Sequence, residues 1–197
     1  MITLLLSLTA SFALDGQVAI ETGVFDVGGR ELASIAGPGG LTSGGLRFAV
    51  AANDHLSVVA GWHYGSRGAI VDVPDSMVFT AAFRAHEVSV GAQVDVDPTD
   101  VVSPYLLVEA LALPGTVLFD GDSRRADNAT QDKRSGFTGG GAALIGCDVH
   151  AKQGGASFAP AAFLEVGYAY AAPLALGDYG KIPVHGVIAR LGAGVRF

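Results

Sequence analysis

The residues of this sequence that could do chemistry are few, and their spacing matches no common metal-binding motif. No two histidines stand at i and i+2 within one strand-like segment, a spacing that would let them share a metal ion. The histidines are His55, His63, His86, His150 and His185. The stretch DVDPTD resembles the start of a calcium loop, but Asp100 replaces the required Gly and Leu106 replaces the required Glu. We therefore expect no metal and no cofactor.

Charged residues inside otherwise apolar or small-residue segments form the second candidate group. Four of the five glutamates lie in such segments and share one face of them: Glu21, Glu87, Glu109 and Glu165. Three arginines share the same face: Arg47, Arg190 and Arg196. Unpaired charges are costly in a narrow closed interior, so these side chains should pair across it and form an interior charge network.

The elements that must position these charges are eight segments in which apolar residues recur at every second position. The segments are Gln17–Phe25, Gly45–Ala51, Leu56–Tyr64, Glu87–Val94, Tyr105–Leu113, Phe137–Cys147, Ala162–Tyr170 and Val187–Phe197. In the fifth segment, Tyr105, Leu107 and Leu111 share the face of Glu109, which blurs the pattern, and the Gly-rich sixth segment leaves its register open.

Composition indicates the fold class to which these segments belong. Half of the residues are hydrophobic and the mean hydropathy is +0.42, yet no apolar run reaches the roughly 18 residues of a transmembrane helix. Such a chain is typical of a membrane β-barrel, and the sequence predicts an all-β, eight-stranded, antiparallel, up-and-down transmembrane barrel. Its first and last strands would be neighbours, so Glu21 with Arg190 or Arg196 is the pair expected first. The net charge of −7, without a basic stripe, excludes a nucleic-acid partner.

The connections and aromatic residues indicate how the barrel would sit. The longer connections, roughly 26–44, 65–80, 114–135 and 171–184, alternate with shorter ones, so they should lie on one side of the membrane. An aromatic girdle is expected at the membrane interfaces. Its members are Trp62, Tyr64, Tyr168, Tyr170 and Phe197. The loop 114–135 carries a basic cluster that either contacts lipopolysaccharide phosphates or another surface ligand, or is an ordinary solvated loop: Arg124, Arg125, Lys133 and Arg134.

The chain end GAGVRF, in which Leu191, Ala193, Val195 and Phe197 alternate, resembles the terminal-strand signal of small outer-membrane β-barrels. With the seven preceding segments, the chain is similar to the family of the OmpA transmembrane domain and OmpX. The resemblance implies the bacterial outer membrane, surrounding lipid and lipopolysaccharide, and contact with the barrel assembly machinery through the last strand. We expect residues 1–13 to be a signal peptide and residues 14–197 to be the barrel.

The function that these features favour is a structural or surface-binding role through the long extracellular loops. Two alternatives stay open: a narrow outer-membrane pore, and a soluble lipocalin-like barrel that binds a ligand. The second would turn Leu and Val inward and Glu outward. Some outer-membrane barrels are lipid A deacylases that use Ser and His, but no Ser stands beside His185 in the sequence, so we do not expect an enzyme.

Overall fold

Eight antiparallel strands follow one another around a closed barrel in the order of the sequence. The computed structural model describes residues 15–26, 39–73, 77–97, 101–123, 129–151, 158–177 and 180–197. The strands are β1 (Gly16–Phe25), β2 (Leu41–Asn53), β3 (Leu56–Val73), β4 (Met77–Asp95), β5 (Val102–Ser123), β6 (Ala129–His150), β7 (Ala159–Ala175) and β8 (Lys181–Arg196). β1 pairs with both β2 and β8, which closes the barrel. The predicted eight-stranded antiparallel barrel is confirmed.

The alternation in the sequence decides which way each strand faces. Along β1, Glu21 is buried inside while Ile20 and Val24 point outward and are exposed. The same division holds in β5, where Tyr105, Leu107 and Leu111 lie inside with Glu109, so the blurred pattern there reflects inward apolar residues. In β6 the inward residues are the even-numbered ones from 138 to 148. Among the described residues, no helix is long and apolar enough to cross a membrane.

The middle strands are longer than the sequence indicates, and two expected loops are mostly strand. β3 and β4 extend to Val73 and Met77, within the expected connection 65–80, and β5 and β6 extend to Ser123 and Ala129, within 114–135. Backbone pairing continues along these extensions. Pairing needs no apolar face, and the hydrophobic alternation fades once neither face of a hairpin is buried. The sequence pattern therefore stops before the strands do.

The interior of the barrel is polar in one part and apolar in another. Its half nearest the end of β1 and the beginning of β2 is filled by an apolar layer. This layer consists of Phe25, Leu41, Phe83, Leu113, Val117, Leu174, Leu176, Ile182, Val184 and Ile188. These side chains come from six strands and the residue after β7, and they leave a space of only about 10 Å³ among them. The charged residues lie below this layer, toward the end where the chain enters β1.

Glycines on the inner face leave room for two large rings. A Cβ on Gly146 would come within 2.4 Å of the Tyr105 ring, and one on Gly192 within 2.3 Å of the Phe163 ring. Both rings lie against the guanidinium of Arg47, at 5.7 Å and 4.4 Å from the ring centroids. The glycines therefore help to place the walls of the charged part of the interior.

Candidate functional site

Arg47 of β2 reaches across the barrel to β7. Its Nη1 donates to Glu165 Oε1, and its Nη2 donates to Gln93 Oε1 at 2.5 Å. The hydroxyl of Tyr105 donates to the same Glu165 oxygen at 2.7 Å. The guanidinium also lies over the face of Phe163, which adds a cation–π contact. Arg47 thus links β2, β4 and β7 through the centre of the barrel.

Arg190 of β8 makes a second crossing. Its Nη2 donates to Glu87 Oε1 at 2.5 Å and its Nη1 donates to Glu109 Oε2 at 2.8 Å. Nη1 also lies 3.6 Å from Glu165 Oε2, the residue directly opposite on β7. Ser89 donates its hydroxyl to Glu109 Oε1 at 3.1 Å. Arg190 therefore holds carboxylates from three other strands.

His63 of β3 is a member of this group that the sequence did not single out. Its Nε2 hydrogen-bonds to Glu21 Oε1, and its Nδ1 lies 3.2 Å from Glu87 Oε1 without hydrogen-bond geometry. Glu21 is therefore joined to β3, and the expected direct pair with Arg190 or Arg196 is wrong. The register explains the difference, because Gly192 stands opposite Glu21 and Arg190 stands opposite Gly23.

Arg196 lies outside this cluster, at the end of the barrel where the chain enters β1. Its Nε is 3.8 Å from Asp15, and its Nη1 lies 3.4 Å from Nε2 of His150. It borders a small polar space of about 20 Å³ that Asp148 and Gln17 also line. Six of the seven expected network residues thus lie together, and Arg196 does not.

The interior charge network, as the structure builds it, has seven members: Glu21, Arg47, His63, Glu87, Glu109, Glu165 and Arg190. Each is less than a tenth exposed, and Glu165 is 0% exposed. Buried charges are tolerated when they are paired and hydrogen-bonded, since an unpaired one carries the full desolvation cost. The bonds join strands on different sides of the barrel, so the network crosses the interior. Its members neutralise and hydrogen-bond one another.

Several polar partners of the network were missed from the sequence. Gln93, Ser89 and Tyr105 all stand at inward positions of their strands, as does His63. The alternation alone places them there, because each is an even number of residues from an inward residue of its own segment. The alternation within one strand does not show which side chains of other strands lie within bonding distance across the barrel. Within the described residues, no group of three or more His, Cys, Asp or Glu side chains is placed to hold a metal ion.

Four of the five expected aromatic residues lie on the outer face around two histidines. On β3 and β4, Trp62 stacks on His86 with ring centroids 5.9 Å apart, and Tyr64 lies 5.1 Å from the same ring. On β7 and β8, His185 lies 6.5 Å from Tyr168 and 6.3 Å from Tyr170. In each case an aromatic residue stands directly opposite the histidine across the strand pair.

The remaining expected aromatic, Phe197, lies at the other end of the barrel. Its ring meets Phe158 edge to face at 6.5 Å, and its backbone bonds Gly16 in both directions. The structure therefore places aromatic residues near both rims. His185 hydrogen-bonds the hydroxyl of Tyr168 at 3.1 Å, and no serine hydroxyl among the described residues contacts it.

The expected loop cluster of basic residues is divided. Arg124 and Arg125 lie outside the described residues, as does the expected signal peptide 1–13. Lys133 and Arg134 lie in β6 rather than in a loop, because the β5–β6 pairing extends past them. Arg134 lies 3.5 Å from Asp132, and both side chains are exposed.

Comparison with known proteins identifies solved structures of similar fold at low sequence identity. No protein-family model matches the chain, and no curated protein matches it. Ail of Yersinia pestis, in complex with the heparin analogue sucrose octasulfate, is 18% identical with a TM-score of 0.49, over 93% of this chain and 99% of Ail. Neisserial surface protein A is 16% identical with a TM-score of 0.44, over 92% of this chain and 95% of that one. CarO of Acinetobacter baumannii is 13% identical with a TM-score of 0.43, over 92% and 96%. These structures are small bacterial outer-membrane β-barrels, and this chain is similar to them in its fold.

Proposed function

We propose that the protein is a bacterial outer-membrane barrel with a closed interior and a structural or surface-binding role. The observation that carries the proposal is the outer face of the barrel. Every strand contributes large apolar side chains that are exposed to the surroundings. They include Ile20, Val50, Val58, Val90, Val108, Ile145, Leu164 and Leu191. Soluble monomers rarely expose contiguous apolar patches beyond a few hundred Å², whereas lipid is the natural neighbour of such a surface.

The facing of the strands argues against the lipocalin-like alternative. That alternative needs apolar side chains around an internal ligand cavity and charges outside. Here Glu21, Glu87, Glu109 and Glu165 are buried inside, and most of the outward positions between the rims are apolar. The apolar layer is packed, and the two spaces that it borders are about 10 Å³ each, far too small for a ligand.

The same packing argues against the alternative of a narrow pore. A solute would have to pass the apolar layer and then the network that joins β2 to β7 and β8 to β4 and β5. Eight strands enclose an interior that side chains alone fill. We therefore place the function at the end of the barrel where β5 and β6 extend past the exposed apolar side chains and where β6 carries Lys133 and Arg134.

Two measurements test this proposal together. Fractionation with heat-modifiable gel migration should find the chain in the outer membrane and in a folded form that migrates differently after boiling. Purified protein in planar bilayers should give no steady conductance. Recovery from the soluble fraction would contradict the membrane location, and a steady channel would contradict the closed interior.

A further inference from the structure

A groove opens on the outer wall of the barrel next to one of the aromatic clusters. Its volume is about 490 Å³, and the residues that matter here are Tyr64, Arg84, His86, Pro114, Leu118 and Lys133. All six stand at outward positions of β3, β4, β5 or β6. The groove therefore faces whatever surrounds the barrel and does not belong to the interior charge network.

The groove follows an interruption in the sheet. β4 and β5 pair from Met77 and Ser123 to Ala85 and Gly115, and again from Val88 and Ala112 onward. Between these stretches stands Pro114, which has no N–H to give to the ladder. On its other side β5 remains paired with β6, where Pro114 stands opposite Phe137. The ladder is thus interrupted on one side of β5 only, and it resumes in the same register.

Two cationic side chains flank the groove. Arg84 of β4 stands opposite Thr116 of β5, and Lys133 of β6 stands opposite Leu118 of β5. Only β5 separates them, so their strands lie about 10 Å apart, given the usual spacing of neighbouring strands. Neither has an ion-pair partner within the part of the chain that the structure describes. The described residues lining the groove include no carboxylate.

The level of the groove on the barrel matches that of lipid headgroups. Along β4, the outward residues run from the apolar Val90 and Val88 to His86 and then to Arg84. His86 is the ring on which Trp62 and Tyr64 gather, and such aromatic clusters mark the boundary between hydrocarbon and headgroups. The cations therefore lie just beyond that boundary. Tyr64, Pro114 and Leu118 supply the apolar part of the lining.

We infer that the outer groove holds an anionic, phosphate-bearing membrane lipid, with its phosphate between Arg84 and Lys133 and its first acyl carbons against Pro114 and Leu118. The inference rests on the proposed membrane location. Guanidinium and ammonium groups donate strong charge-assisted hydrogen bonds to phosphate oxygens. A lipid phosphate meets these groups at the level where they stand, whereas free phosphate gains nothing from the apolar lining.

Trp62 supplies the reporter for a test, since it is the only tryptophan and stacks on a residue that lines the groove. The protein is folded into phosphatidylcholine vesicles that contain, in separate arms, diphosphorylated lipid A, phosphatidylglycerol or no anionic lipid. Trp62 emission is followed as the anionic fraction rises, and inorganic phosphate is titrated in parallel. We expect a saturable change with at least one anionic lipid and none with inorganic phosphate.

Arg84→Gln and Lys133→Gln should each raise the lipid fraction needed for half of the change by about tenfold, since each removes a charge-assisted bond. Lys181→Gln is the matched control: Lys181 is exposed near the same rim, on β8, and should leave the titration unchanged. Heat-modifiable migration shows that each variant has folded. The inference is overturned, while the proposed function stands, if the inserted protein shows the same Trp62 emission in all vesicles. It is overturned likewise if Lys181→Gln shifts the titration as much as Arg84→Gln and Lys133→Gln do. Failure to insert overturns the proposed function instead.

Discussion

Replacing Arg190 with Met should destabilise the folded barrel by about 3–5 kcal/mol, because it leaves carboxylates buried without their cation. Arg190 bonds Glu87 at 2.5 Å and Glu109 at 2.8 Å, and it is 4% exposed. After the replacement, Glu109 retains only the hydroxyl of Ser89, and Glu87 retains the neighbourhood of His63. Adding Glu87→Gln and Glu109→Gln removes the stranded charges, so the triple variant should recover much of the lost stability.

A double-mutant cycle measured by urea unfolding in vesicles, with Trp62 emission as the signal, checks the geometry behind this estimate. Arg190→Met with Glu109→Gln should give a coupling energy of about 1–3 kcal/mol, as expected for residues in direct contact. Arg190→Met with Glu21→Gln should give a smaller coupling energy, because Glu21 is connected to Arg190 only through His63 and Glu87. Equal coupling in both cycles, or a triple variant as unstable as Arg190→Met alone, would refute the pairing described above.

Three further perturbations test the outer face, the packing and the last strand. Val90→Arg puts a charge among the exposed apolar side chains of the outer face and should lower the free energy of unfolding in vesicles by about 2–4 kcal/mol if the site is near the membrane midplane. Val90→Met should stay close to the parent protein, and equal stability of the two variants would contradict lipid contact. Gly167→Ala brings a Cβ within 2.1 Å of a carbonyl oxygen of β6 and should cost about 1–3 kcal/mol. Gly44→Ala, whose Cβ meets nothing nearer than 3.8 Å, should be tolerated in the same assay, and the reverse ranking would show that the packing is wrong. Removing Phe197 should lower the amount of folded protein in the outer membrane without blocking export, as cell fractionation would show. Unchanged assembly would mean that the assembly machinery does not need this residue for recognition.

The facing of the strands was predictable because burial repeats at every second residue. Glu21 and Glu165 were assigned to the interior from their neighbours alone, and both lie there. The partners were not predictable, since the alternation in one strand says nothing about which strand lies across the barrel. Glu21 illustrates this limit: adjacency of β1 and β8 favoured an arginine of β8, while the side chain reaches His63 of β3.

Strand length and the apolar layer were missed for related reasons. Lys133 and Arg134 read as loop residues because charged and polar residues break the alternation, yet backbone pairing carries β6 past both of them. In β5, Leu107 and Leu111 blurred the alternation by sharing the face of Glu109, because an inward apolar residue is unusual in a polar interior. Both are buried inside the barrel, in one hydrophobic cluster with the apolar layer.

The interior charge network constrains the order in which the chain becomes a barrel. Its hydrogen bonds between arginine and glutamate join residues 118, 103 and 81 positions apart, which are Arg47 with Glu165, Glu87 with Arg190, and Glu109 with Arg190. None of these three pairs lies within one hairpin, so a hairpin entering lipid alone would carry charges that its own strands do not neutralise. Arg47 meets Glu165 only once β7 is in place, and Glu87 and Glu109 meet Arg190 only once β8 closes the barrel. The strands should therefore enter the bilayer together as a nearly closed sheet, and a chain stopped before β8 should wait outside the hydrocarbon.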